Sequence, residues 1–184
     1  MKDKLLHETE WLNLYQTDKG FIYAQRKSVN SIASLCFKHV GDEVMYLIHY
    51  QPQPELKSKK CWNDLYPCPI TGAIDPNETP LQAAIRETYE EGGIKVDLNQ
   101  FHDQIYFVPS TQMNEIVYCF IFDVTNLEQE EPKTDGTLFE SVSINKWMTQ
   151  SEVEDILFKN KEIYLTSLLN AYCLVQKHLK DLKN

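Results

Sequence analysis

The chain reads as an α+β sandwich built on a mixed β-sheet, with a β-hairpin extension at its amino end. Three observations predict this class. Strand–turn–strand patterns fill residues 11–50, a capped helix follows near residues 80–91, and further strand runs and two helices close the chain. Elements in that order bury their apolar faces when helices layer against a sheet of mixed direction.

In order along the chain, WLNLYQTDKGFIYAQR at 11–26 predicts two short strands around an Asp-Lys-Gly turn. Residues 31–50 repeat the pattern, with SIASLCFK and EVMYLIHY flanking HVGD. QPQPELKSKK at 51–60 carries two prolines and three lysines and predicts a polar loop. In 72–94, Thr79 suits an N-cap, Pro80 the first helical position, Gln82 the closing partner of a Thr-x-x-Gln capping box, and Gly92-Gly93 a left-handed stop. The helix should run from about Pro80 to Glu91. DQIYFVPS and EIVYCFIFDVT follow as strands, the second apolar enough to be covered on both faces. After the acidic loop NLEQEEPKTDG, TLFESVSI predicts the last strand. Ser151-Glu-Val-Glu154 offers a capping box for a first closing helix. Ile163, Leu165, Leu168, Leu169, Tyr172, Val175 and Leu179 form an apolar stripe on a second.

Composition narrows the class further. With 184 residues, 42% of them apolar, the chain fits one domain over residues 1–184, and no internal repeat or domain boundary is visible. MKDKLLHETEWLNLY lacks a signal-peptide core, and no run approaches the roughly 18 apolar residues of a membrane span, so a cytoplasmic location is expected. Cys36, Cys61, Cys68, Cys119 and Cys173 are odd in number and form no CxxC pair, which predicts reduced thiols. A formal charge of −9, from 27 acidic and 18 basic side chains, argues against a nucleic-acid partner. An anionic ligand would therefore need a local cation to hold it.

The run RETYEEGG shows where such a cation could sit. Glu87, Glu90 and Glu91 fall at i, i+3 and i+4, on one face of the last helical turn. That is the negative end of the helix dipole, where each carboxylate is disfavoured by about 0.3–1 kcal/mol before mutual repulsion is counted. Oxygen ligands so crowded suit a hard divalent ion, Mg²⁺ first and Mn²⁺ as substitute, sharing its remaining positions with water and substrate phosphates.

The spacing is more specific than a charged face requires. Gly72, five residues, Glu78, seven residues, Arg86-Glu87, two residues, Glu90-Glu91, one residue, Gly93, Ile94 resembles the Nudix box, GX₅EX₇REUXEEXGU with U a bulky apolar residue. Seven fixed identities at roughly 6% each coincide by chance about once in 10⁸–10⁹ starts. The one departure is Thr88, at an apolar packing position. The resemblance implies a Nudix fold, an α/β/α sandwich with a mixed sheet. It also implies hydrolysis of a nucleoside diphosphate derivative by attack of a metal-activated water on a pyrophosphate phosphorus. It assigns the metal to Glu87, Glu90, Glu91 and the Thr71 carbonyl, gives Glu78 and Arg86 supporting roles, and has Gly72 and Gly93 shape the loop and helix end.

Other stretches resemble the ADP-ribose pyrophosphatase branch of that family. They are Pro109, Glu115, the strand-rich residues 1–30 and the closing stretch EIYLTSLLNAYCLVQKHL. This resemblance implies ADP-ribose or another nucleoside diphosphate sugar as substrate, a nucleoside monophosphate and a sugar phosphate as products, and a homodimer in which residues 11–30 help to shape the partner's site. The branch's Glu-Leu-Pro-Ala-Gly is replaced by Cys68-Pro-Ile-Thr-Gly72, and its Gln-x-Arg by His49-Tyr50-Gln51-Pro52. Arg26, Lys27, His49 and the lysines at 57, 59 and 60 remain as phosphate-binding candidates. Tyr50, Trp62, Tyr66 and Tyr106 are candidates to stack on a base. The position nearest the branch's loop glutamate is Thr137, so the general base falls to Glu115 first and Glu140 second, with Glu130 and Glu131 also open. Two other readings stay open: a sanitising nucleoside triphosphate pyrophosphatase, and a non-catalytic nucleotide-sensing module.

Overall fold

The computed structural model describes residues 3–53, 58–133, 138–160 and 162–183, so the lysine at 57 and the threonine at 137 lie outside the described residues. Three amino-terminal strands, β1 (Lys4–Glu8), β2 (Leu12–Gln16) and β3 (Ile22–Arg26), form an antiparallel sheet of their own. The expected hairpin at 11–26 is thus present, turning through Gly20 at φ 85°, and β1 adds a third strand that the sequence did not announce.

The central sheet holds β4 (Ser31–Val40), β5 (Glu43–Pro52), β6 (Leu65–Cys68), β7 (Ile70–Ala73), β8 (Phe101–Phe107), β9 (Val117–Asp123) and β10 (Ile144–Thr149). Its main order is β10-β5-β4-β9-β8, with β6 extending β5 and β7 extending β4. The β4–β9 pair is parallel and the other pairs are antiparallel, which makes the sheet mixed. Strand β4 has Ser31 through Phe37 buried, as a central strand covered on both faces must.

Alternation along β4 divides the core. Ala33, Leu35 and Phe37 face α2 (Gln150–Glu154), the π-helical turn Asp155–Lys159 and α3 (Thr166–Asp181). Ile32 and Cys36 face α1 (Pro80–Glu90), where Ala83 and Ala84 pack with Ile70, Phe120 and Phe122. Helices on both faces of a mixed sheet give the expected α/β/α sandwich. Among the described residues no helix is long and apolar enough to cross a membrane.

Three expectations need correction. TLFESVSI is not the last strand: Leu138 and Phe139 are exposed, Glu140–Val142 form a 3₁₀ turn, and pairing with β5 begins at Ile144. Among the described residues, 138–143 pair with no strand. The cap of α2 is Thr149 with Glu152 rather than Ser151 with Glu154, and Glu154 instead accepts from the Tyr172 hydroxyl at 2.6 Å. In the closing helix Leu168, Ala171, Tyr172 and Val175 are buried, but Ile163 precedes the helix and is exposed.

Candidate active site

Helix α1 is fixed at both ends, which fixes where its carboxylates stand. At the start, Gln82 N donates to Thr79 Oγ1 (3.3 Å) and Thr79 N donates to Gln82 Oε1 (2.8 Å), closing the expected capping box. At the other end Gly93 sits at φ 70°, and a Cβ there would lie 2.0 Å from the Glu130 carbonyl oxygen. That closeness comes from the strap after β9: Glu130 N donates to Gly93 O (2.8 Å), and Gln129 Nε2 donates to Gly92 O (2.8 Å). The second glycine of the motif is therefore required both by backbone conformation and by the chain crossing it.

Arg86 organises the last turn. Its Nε and Nη2 both donate to the Glu78 carboxylate at 3.0 Å, while Nη1 donates to Glu87 (2.8 Å) and Glu90 (2.9 Å). Nη2 also reaches the Ala73 carbonyl at 3.0 Å, which ties the helix to the end of β7. A planar guanidinium with five donors can hold three carboxylates and a carbonyl at once, as an ammonium cannot. This pairing keeps Glu78 below its ordinary carboxylate range.

Glu87 is buried, with its carboxylate against Gly72, where a Cβ would stand 2.1 Å from its Cδ and Oε1. Burial pushes its acid strength to a pKa of about 7; Arg86 opposes this, and the charges of Glu90 and Glu140 reinforce it. Among the described residues no three or more His, Cys, Asp or Glu are already gathered around one point as metal ligands, and Glu87 Oε1 and Glu90 Oε2 are both paired with Arg86 Nη1. The donor set still fits a hard divalent ion. Three carboxylates share one turn, one of them is buried at a cost that a cation offsets, and the missing side chain at Gly72 lets the Glu87 carboxylate lie directly against β7.

Two cavities flank this turn. One, of about 450 Å³, is lined by His49, Glu91, Glu131, Glu140 and Asn145 among others. Asn145 and His49 face each other across β10 and β5, His49 Nδ1 bonding Asn145 Oδ1 at 2.8 Å and Asn145 Nδ2 donating to the Glu91 carbonyl at 2.6 Å. His49 is only 3% exposed, and burial pulls its pKa down. The other cavity, of about 400 Å³, is lined by Arg26, Gln51, Thr71, Gly72, Pro109 and Glu115 among others. There Glu115 Oε1 accepts from Ser31 Oγ at 2.5 Å and lies 3.4 Å from Arg26 Nη1. The amino-terminal sheet reaches this cavity because Ala24 N donates to Gln112 O and Asn114 N to Ala24 O, both at 2.8 Å.

Of the residues singled out in the sequence, the structure gathers Glu78, Arg86, Glu87 and Glu90 around one guanidinium, Glu91, Glu140 and His49 in the first cavity, and Arg26, Glu115, Thr71 and Gly72 in the second. Tyr50 lines neither: its ring packs on the α3 side of the sheet and its hydroxyl bonds the Met148 sulfur at 3.7 Å. Trp62 and Tyr106 are exposed, Trp62 packing edge-on against Phe139 and Tyr106 lying beside Tyr118. Tyr66 pairs with Gln51 where β6 meets β5. Lys27 bonds Glu8, and Lys59 bonds the Gln53 carbonyl. Glu130 lines the first cavity with Glu91, Glu131 and Glu140, and its carboxylate accepts from Lys95 and Tyr89. The sequence reading missed Asn145 and Ser31, whose roles depend on cross-strand partners with no local signature.

Comparison with known proteins agrees with this geometry. No curated protein sequence matches the chain. Among solved structures it is similar to one described as "Crystal structure of ADP compounds hydrolase", with a TM-score of 0.61 and 19% identity, covering 99% of this chain and 94% of that one. It is also similar to a Nudix hydrolase from M. Smegmatis, RenU, with a TM-score of 0.56 and 13% identity, covering 89% of this chain and 93% of that one. At such identities these likenesses concern the fold. The NUDIX domain model matches residues 36–168, most of the chain and the whole of the carboxylate-bearing turn, and the protein therefore belongs to the Nudix family of pyrophosphohydrolases.

Proposed function

We propose that the protein hydrolyses the pyrophosphate of a nucleoside diphosphate derivative, ADP-ribose or another nucleoside diphosphate sugar, to a nucleoside monophosphate and a sugar phosphate. It does so as a cytoplasmic homodimer of single-domain chains, with Mg²⁺ or Mn²⁺. The observation that carries this reading is the crowded turn of Glu87, Glu90 and Glu91, with Glu87 buried against Gly72. Support for the substrate class comes from the likeness over the full chain to a structure described as an ADP compounds hydrolase.

Glu87, Glu90, Glu91 and the Thr71 carbonyl would hold the divalent ion. When bound, it neutralises phosphate charge and polarises the phosphorus centre. Arg86 keeps the Glu87 and Glu90 rotamers in place through its hydrogen bonds, a duty that positions ligands without touching substrate. Arg26 lines the second cavity and would meet a substrate phosphate there by loosening its 3.4 Å contact to Glu115. Among Glu115, Glu140, Glu130 and Glu131, Glu140 is the base this reading adopts. It lines the same cavity as Glu91, and its charge adds to the rise in the Glu87 pKa, while Glu115 lines the second cavity. The Glu140 carboxylate would take the proton of the water that attacks phosphorus.

A substrate panel with purified protein, each divalent ion in turn and products resolved, tests the proposal. A nucleoside monophosphate and a sugar phosphate from ADP-ribose are expected. Turnover of deoxynucleoside triphosphates at least a hundredfold better in kcat/KM would replace this substrate class with the sanitising one, and full turnover in excess chelator would end the metal-dependent reading.

A further inference from the structure

His49 has a nitrogen that none of the roles above uses. The Glu91 carbonyl can only accept a hydrogen bond, so the amide nitrogen of Asn145 must face it, at 2.6 Å. That turns the amide oxygen of Asn145 to His49 Nδ1, 2.8 Å away, and the hydrogen of the neutral imidazole must sit on Nδ1. Nε2 is left with its lone pair. It is buried, has no hydrogen-bond partner among the described residues, and points at Glu91 Oε2 from 3.7 Å.

At 3.7 Å Nε2 and Glu91 Oε2 are too far apart for a hydrogen bond between them, yet near enough to share one cation. Two ligands each about 2.1 Å from one ion stand about 3.0–3.6 Å apart at bond angles of about 90–120°, close to the separation seen here. The arrangement also has the form common to metal-binding imidazoles, in which the ring nitrogen away from the ion is hydrogen-bonded to an acceptor that fixes the tautomer. In that form His49 could not serve as a phosphate donor, since Nε2 carries no hydrogen.

We propose that His49 Nε2 and Glu91 Oε2 together ligate a divalent ion at the wall of the first cavity, so that the site favours a first-row transition ion such as Mn²⁺ over Mg²⁺. The inference rests on the metal-dependent reading above and adds a nitrogen ligand to an otherwise all-oxygen donor set. Imidazole suits transition ions, whereas Mg²⁺ is held through oxygen.

The test uses the full chain without substrate. In pulsed electron paramagnetic resonance of the Mn²⁺-loaded wild type, hyperfine coupling to a directly bonded nitrogen is expected. It should vanish in His49→Asn, whose amide nitrogen can still donate to Asn145 but which lacks anything at the Nε2 position. Calorimetric titration should show the ratio of Mn²⁺ to Mg²⁺ affinity falling about tenfold or more in His49→Asn. Mn²⁺ binding to the wild type without nitrogen coupling, or coupling that persists in the variant, would overturn the role of His49 and leave the metal-dependent reading standing. Failure of either ion to bind the wild type at millimolar concentration would overturn both. The wild-type spectrum decides the matter even if the variant folds poorly.

Discussion

A Cβ on Gly72 would stand 2.1 Å from Cδ and Oε1 of Glu87, so the absence of one methyl group sets where a buried charge lies. Gly72→Ala should leave the backbone intact, because the obstacle is a side chain, but it must push the Glu87 carboxylate aside. We expect kcat to fall by roughly 10²-fold, the order of loss that a misplacement of about 1 Å causes, with little change in Tm. Glu90→Gln and Glu91→Gln should each lower kcat by about 10³-fold or more by removing a ligand charge. In metal-free protein they should be no less stable than wild type to thermal melting, since each also relieves repulsion at the negative end of α1. Full turnover by either would remove these residues from the metal site. Thr88, the one departure from the motif, is fully buried and its hydroxyl bonds Ser34 on β4 at 2.6 Å. Thr88→Val should cost about 1–3 kcal/mol by orphaning the Ser34 hydroxyl, and adding Ser34→Ala should recover most of that loss in urea melts. Equal stability of the single and double variants would show that the hydroxyl pair contributes nothing.

Elements were legible where local chemistry is repeated by several residues at once. Thr79, Pro80, Gln82, Gly92 and Gly93 all mark the same helix, and the carboxylates on it sit at the spacing their chemistry demands, so α1 and its charged turn could be read directly. The end of the chain was less legible because two equal patterns compete there. Thr149-x-x-Glu152 and Ser151-x-x-Glu154 are both capping boxes, and only pairing of β10 with β5 through Thr149 decides between them. Thr149→Ala should therefore cost about 1 kcal/mol, with Tm lowered by about 2–4 °C, while Ser151→Ala should stay within about 0.5 kcal/mol. The reverse ranking would restore the sequence-based register. The walls of both cavities were illegible for a related reason. Arg26 meets Glu115, and His49 meets Asn145, only through strand pairings that bring together residues 89 and 96 positions apart.

At the scale of the molecule, the amino-terminal sheet is attached to the rest through one edge and leaves much apolar surface open. Strand β3 is bridged to residues 112–114, while β1 at the other edge is exposed along its whole length. Trp11 is 75% exposed, and Leu5, Leu12, Phe21 and Ile22 are each between 41% and 48% exposed. A small sheet with so much uncovered apolar area is marginal alone, and a two-fold partner is the commonest way to cover it. The sheet also carries Arg26 into the second cavity, so whatever anchors the sheet bears on the proposed substrate site. We therefore expect a homodimer in which residues 11–30 pack across the partner. Light scattering at micromolar concentration should give about twice the 21.5 kDa chain mass, and a Trp11→Glu, Phe21→Glu double variant should be monomeric with a raised KM. A wild-type mass near 21.5 kDa would rule out the dimer, and a double variant that stays dimeric with unchanged KM would move the interface away from this sheet.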